Sequence, residues 1–250
     1  MVCRRVGAFR LARGEEIPYM SLCRQDARGR SRLAEETGSL RLITMSLWGS
    51  DPVYARGAME NARLAPLIYP GWTLRIYCDR NTPAGDELKR LGCEVRPMTS
   101  RGGFHGAFWR FLPAGDPGVD ALIVRDTDSR LNVREAAAVE EWLASGMGVH
   151  VMRDHPHHLN WPMLAGMWGV RRGVLPDMPA RIRLWRRWDQ KLDDQYFLAY
   201  RVWPDIKDNC LQHTTGVSPF GGKPFPPHPP CDSDYVGQVF DAENRKDTSR

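Results

Sequence analysis

From about residue 42 onward, short apolar runs alternate with longer amphipathic stretches. Leu42 to Trp48 predicts a strand closed by Gly49, and residues 54–68 predict a helix stopped by Pro70 and Gly71. Thr73 to Cys78 predicts a second strand, ending at Asp79. Residues 83–91 predict a short helix with Pro83 near its start and Gly92 just past its end, and Cys93 to Arg96 predicts a third strand. Ala121 to Val124 is an unbroken apolar run, the pattern of a strand buried on both faces. Asn132 followed three residues later by Glu135 has the form of a capping box and opens a helix that ends at Gly146; Val149 to Met152 then predicts another strand. Strands alternating with helices imply an α/β domain with a mostly parallel central sheet and flanking helices.

The second half is less regular. Met163 to Val170 is apolar, with Gly166 and Gly169 flanking Met167 and Trp168; it either lets a substrate approach the backbone or packs in the core. Between Pro179 and Leu192, Ile182, Trp185, Trp188 and Leu192 share one helical face and Arg183, Arg186 and Arg187 lie off it. That is a solvated arginine face over a core stripe or a basic face for an anionic membrane. A further helical stretch from Tyr196 stops near Pro204, and Lys223-Pro224-Phe225 belongs to a Pro-rich loop laid over the domain. His155, His157 and His158 crowd around Pro156 with no spacing suited to shared metal ligation, so they read as surface or hydrogen-bonded histidines.

An apolar fraction of 42% and nine tryptophans argue against disorder over 250 residues. The net charge of +5 is unevenly placed: residues 1–41 hold nine arginines against five acids, which leaves the rest within one charge of neutral. Residues 1–41 therefore read as a loosely ordered basic extension and 42–250 as a single domain, and the high pI carries little argument for nucleic acid as a partner. Six dispersed cysteines with no C-x-x-C pair fit free thiols in a reducing compartment, and no window reaches the length of a membrane span. A cytoplasmic protein is expected, with association at the inner face of a membrane left open.

The strand at 121–124 runs directly into Arg125-Asp126-Thr127-Asp128. Two carboxylates one residue apart at a strand end can hold a hard divalent cation beside substrate phosphates; a solvated acidic turn is the alternative. No G-x-x-x-x-G-K-[ST] loop, G-x-G-x-x-G turn, G-x-S-x-G elbow or H-E-x-x-H helix is present.

In this order of elements the chain resembles glycosyltransferases of the GT-A fold, in which a Rossmann-like nucleotide-binding half precedes an acceptor half. Among them it looks closest to the family 8 type. Asp126-Thr127-Asp128 matches the D-x-D motif, Asp194-Gln195 a D-Q pair, His213-Thr214-Thr215-Gly216 an H-x-x-G element, and Lys223-Pro224-Phe225 resembles that family's K-P-W. The gap from Gly216 to Lys223 is longer than the family's, and Phe225 stands for Trp. The resemblance implies a nucleotide-diphosphate sugar donor, a glycan or polysaccharide acceptor, and Mn²⁺ (or Mg²⁺) held by Asp126, Asp128 and His213. It implies Asp194 and Gln195 as catalytic residues that bind or position the reacting sugar. Arg110, Arg125 and Lys223 would offset diphosphate charge, unless the two arginines hold structural carboxylates. Asp79 would meet base or ribose, unless it only closes a turn, and Gly166 and Trp168 would line the substrate.

Two rivals are open. A phosphohydrolase of the haloacid dehalogenase type also begins its motif with a strand ending in D-x-D, with Asp126 then a nucleophile; Arg130 and the long preceding region depart from that pattern. A non-enzymatic basic binding domain would use the arginine-rich helix, with steep salt dependence.

Overall fold

The computed structural model describes residues 39–230 and 233–247, so the basic extension lies outside the described residues except for its last three positions. Seven strands make one sheet: β1 (Arg41–Leu47), β2 (Thr73–Asp79), β3 (Glu94–Met98), β4 (Ala121–Arg125), β5 (Val149–Arg153), β6 (Met167–Arg171) and β7 (Cys210–Thr214). Their order is β3-β2-β1-β4-β6-β5-β7. Every pairing is parallel except those of β6, which runs antiparallel to both β4 and β5. The result is the mixed α/β architecture expected, with a mostly parallel central sheet.

Side-chain alternation on β1 divides the core. Ile43, Met45 and Leu47 pack with Ala58, Ala62 and Ala65 of helix α1 (Pro52–Ile68). Val139 and Trp142 of α3 (Val133–Ser145) complete that layer; the short helix α2 (Gly85–Arg90) lies between these two in the chain. Leu42 faces the opposite way, into a layer of Phe108, Phe111, Trp168 and Phe197. Fully buried side chains of this size contribute about 1.5–3 kcal/mol each. Asp51 caps α1 by accepting from Val53 N at 3.0 Å, and Asn132 caps α3 by accepting from Glu135 N at 3.0 Å. Gly146, at φ 76°, ends α3 in the left-handed conformation that suits glycine.

The second half corrects the sequence in two places. β6 and β7 had not read as strands: β6 is buried on both faces, and Gly169 leaves room for the Leu122 carbonyl, so nothing alternates. The helix expected to reach Leu192 is α4 (Met178–Trp185), which stops where Arg186 takes φ 52°. Trp188 instead meets His105 edge-on at 5.1 Å, and Leu192 is exposed. No described helix is long and apolar enough to cross a membrane.

Candidate active site

From β1 the chain runs outward through β2 and β3, then returns to form β4 on the other side of β1. The carboxyl ends of β1 and β4 therefore flank a topological switch point, where open α/β sheets bind ligands. Asp126 and Asp128 leave the sheet there, and α1 sets the path of the turn. A methyl built on Gly57 would overlap the Thr127 carbonyl. Asn61 Nδ2 donates to Ser129 O at 2.8 Å, and its Oδ1 accepts from Leu131 N at 3.0 Å. Behind the turn, Phe240 N donates to Asp128 O at 2.9 Å and the Phe240 ring lies 4.8 Å beneath the Arg130 guanidinium.

Arg110 ties three segments together. It lies in a 3₁₀ segment, His105–Gly115, whose backbone is fastened to β1: Thr44 Oγ1 donates to Arg110 O at 2.9 Å and Arg110 N donates to Ser46 Oγ at 3.0 Å. Thr44 and Ser46 share the face of Leu42, so β1's alternation aims both hydroxyls at Arg110. The guanidinium pairs with Asp126 through Nη1 and with Asp194 through Nη2 at 2.8 Å, and it feels the charge of Asp128 as well. Its Nε is buried with no partner. The Asp126 side chain is 42% exposed, against 6% for Arg110 and 9% for Asp194, so Asp126 is the member of the group that solvent reaches.

Asp194 lies on α5 (Asp193–Phe197). Burial pushes its carboxyl up from the usual aspartate value, the like charge of Asp126 adds to the shift, and Arg110 opposes it. Gly166 packs on Asp126 so closely that a methyl there would overlap Oδ2. Asp126, Asp128, Arg110, Asp194 and Gly166 thus come together at one rim.

Other expected site residues do not join them. Gln195 is buried, with Oε1 accepting from Ala165 N at 2.9 Å and Nε2 donating to Met163 O, so both ends of its side-chain amide brace the segment leading to Gly166. Arg125 is buried beneath the rim, where Nε bonds Glu135 at 3.1 Å and Nη1 bonds the Val124 and Trp168 carbonyls. It holds a structural carboxylate rather than a diphosphate. Trp168 is fully buried against Phe111 and lines no cleft. Asp79 stands at the same rim on β2, where Oδ1 accepts from Asn81 N at 3.1 Å and the carbonyl accepts from Thr82 N at 2.9 Å, closing a turn.

His213 is the largest displacement. On β7 it pairs in register with Met152 and is fully buried, with Nε2 3.1 Å from Glu141 and Nδ1 2.8 Å from His150 Nε2. Burial lowers the basicity of both rings, so both are neutral at pH 7. His213 Nε2–H then donates to the Glu141 carboxylate and His213 Nδ1 accepts from His150 Nε2–H, which leaves His150 Nδ1 as an orphaned acceptor. Neither nitrogen of His213 is open to a metal. Lys223 pairs with Glu141, away from the aspartates. His158 is nearer the rim: burial lowers it to about 4, and it feels the charge of Asp126.

Among the described residues no three His, Cys, Asp or Glu side chains are grouped to hold an ion by themselves. The donor set does fit the kind of cation that keeps waters and substrate phosphates and takes only one or two carboxylates from the protein. Asp126 and Asp128, both partly exposed, are the carboxylates that could serve such a cation.

The bracing residues had a faint mark in the sequence. Gly57 and Asn61 are poor helix formers one turn apart on α1, which suggests a face shaped for close approach.

No family model and no curated protein matches the chain. Solved structures with a similar arrangement include a glycosyltransferase involved in glycosylation of the major capsid of PBCV-1, at 15% identity over 70% of this chain and 81% of that one, TM-score 0.48. A mannosyltransferase from Pyrobaculum calidifontis in complex with GDP-Man and Mn²⁺ gives 13% identity, 73% and 55% coverage, and TM-score 0.46; this chain spans about half of its length. Glucosyl-3-phosphoglycerate synthase from Mycobacterium tuberculosis, with Mn²⁺, UDP and glucosyl-3-phosphoglycerate, gives 14%, 75% and 74%, and 0.43.

Proposed function

We infer that the protein is a metal-dependent glycosyltransferase of GT-A type that moves a sugar from a nucleotide-diphosphate donor to a glycan or other acceptor. The observation that carries this reading is the convergence of Asp126, Asp128 and Asp194 on Arg110 at the switch point of the sheet. Transfer breaks the bond between the sugar's anomeric carbon and the diphosphate and forms one to an acceptor oxygen, whose proton is lost. Asp126 and Asp128 would hold Mn²⁺ or Mg²⁺, which would supply positive charge to offset that of the departing diphosphate. Arg110 adds the positive charge of a guanidinium fixed beside Asp126. Asp194, held by Arg110 and by the Gln195 backbone N–H, is the candidate to bind or orient the reacting sugar. Asp79, at the end of β2 on the far side of β1, is the candidate to meet base or ribose.

Against a phosphohydrolase reading, Asp126 is paired with Arg110 and crowded by Gly166, which leaves a nucleophile there little freedom of approach. The deciding measurement is calorimetric titration with UDP and GDP, with and without Mn²⁺. Binding that needs Mn²⁺ and disappears in Asp128→Ala supports the reading; binding indifferent to both overturns it.

A further inference from the structure

Close in the chain to Gly166 and Asp194 stands a row of aromatic rings that the core does not absorb. Trp161 opens the segment that ends at Gly166 against Asp126, and Tyr196 comes two residues after Asp194. Trp161 and Tyr196 meet edge-on at 5.5 Å, and Tyr196 stacks on Tyr200 at 6.1 Å with the rings 7° from parallel. Trp161 and Tyr196 are half-buried, whereas Tyr200 is 65% exposed. Tyr200 also borders a groove of about 430 Å³ lined by Arg181, Trp185, Arg201 and Asp205 among others, and beside it Leu184 is 78% exposed.

We propose that Trp161, Tyr196, Tyr200 and this groove form a binding track for an extended, uncharged oligosaccharide, the acceptor of the transfer described above. The track rests on that reading only for the word acceptor. Flat aromatic faces receive the C–H faces of pyranose rings, and a few fixed polar groups among apolar ones orient the hydroxyls. Charge selects the same ligand. Arg181 is bonded to Asp177 at 2.9 Å and to Asp205 at 2.6 Å, and with Arg201 the groove holds two arginines against two aspartates. Such a balanced lining favours a neutral ligand over a polyanion or an anionic membrane.

The test needs no donor. The full chain is titrated by calorimetry with cello-, chito-, manno- and galacto-hexasaccharides, and separately with UDP and GDP plus Mn²⁺. At least one hexasaccharide should bind with little change across about 0.05–0.5 M salt. Tyr200→Ala should weaken it about tenfold or more, Tyr200→Trp should retain it, and neither should alter nucleotide binding. Tyr200 is exposed, so the fold is not at stake in these variants. The proposal is overturned if no hexasaccharide binds, if binding ignores Tyr200→Ala, or if phosphatidylglycerol vesicles alone capture the protein in a salt-dependent way. Saccharide binding without nucleotide binding would remove the transferase reading and leave the track; the reverse would remove the track alone.

Discussion

Two polar clusters lie along the carboxyl side of this sheet, and they use their carboxylates differently. At the end of β4, Asp126 is 42% exposed and Arg110 holds two carboxylates at once with a donor left over. Three strands away, His213 on β7 is sealed under α3, both nitrogens consumed by Glu141 and His150, with Lys223 closing the outside of Glu141. The first cluster presents a carboxylate to solvent; the second is closed off from it, with its one unpaired atom, His150 Nδ1, buried. Ligand sites need the former, and residue type alone does not distinguish them.

The sharpest way to break this contrast is Asp128→Ala, which should lower sugar transfer about 10²–10³-fold with the melting temperature little changed. A variant that keeps its rate would place the chemistry elsewhere. Gly166→Ala forces Asp126 aside, and displacement on that scale should cost about 10²-fold in rate; an undiminished kcat/KM would mean that the Asp126 carboxylate need not sit where Gly166 permits it.

The pH profile probes the same rim. Because burial raises the Asp194 pKa, its carboxylate begins to take up protons at a higher pH than an ordinary aspartate as the solution is acidified. If the ionised form is the working one, transfer should fall on the acid side at that raised pH, and the residual activity of Asp194→Asn should lack the limb. The same limb in both proteins would assign it to another group.

On the sealed side, His213→Ala should leave Mn²⁺-dependent nucleotide affinity unaltered while destabilising the fold by about 1–3 kcal/mol, since it strands the His150 donor. A loss of metal affinity without a loss of stability would reverse the comparison. The smallest effect belongs to Lys223→Ala. Its ion pair with Glu141 is half-exposed, so denaturant unfolding should shift by only about 0.2–1 kcal/mol, and nucleotide binding should not change.

How much of this was legible depends on how local each feature is. β1, β2, β4, α1 and α3 could be read because an apolar run, a proline or a cap fixes them within a few residues. β6 and β7 could not: β6 carries no alternation, and the polar residues of β7 find partners 63 and 72 positions away. The D-x-D pair, Arg110 and Asp194 were named from strand-end position and resemblance. That they meet, and that Gln195, His213, Arg125, Trp168 and Lys223 turn to other tasks, depended on which face each element presents.

The sequence by itself determined an α/β chain whose fourth strand ends in two aspartates, because periodicity and strand ends are short-range properties. Only the tertiary structure decided which polar side chains are spent on one another and which remain open to a ligand. That division is set by burial and by partners far apart in the chain, which no local pattern encodes.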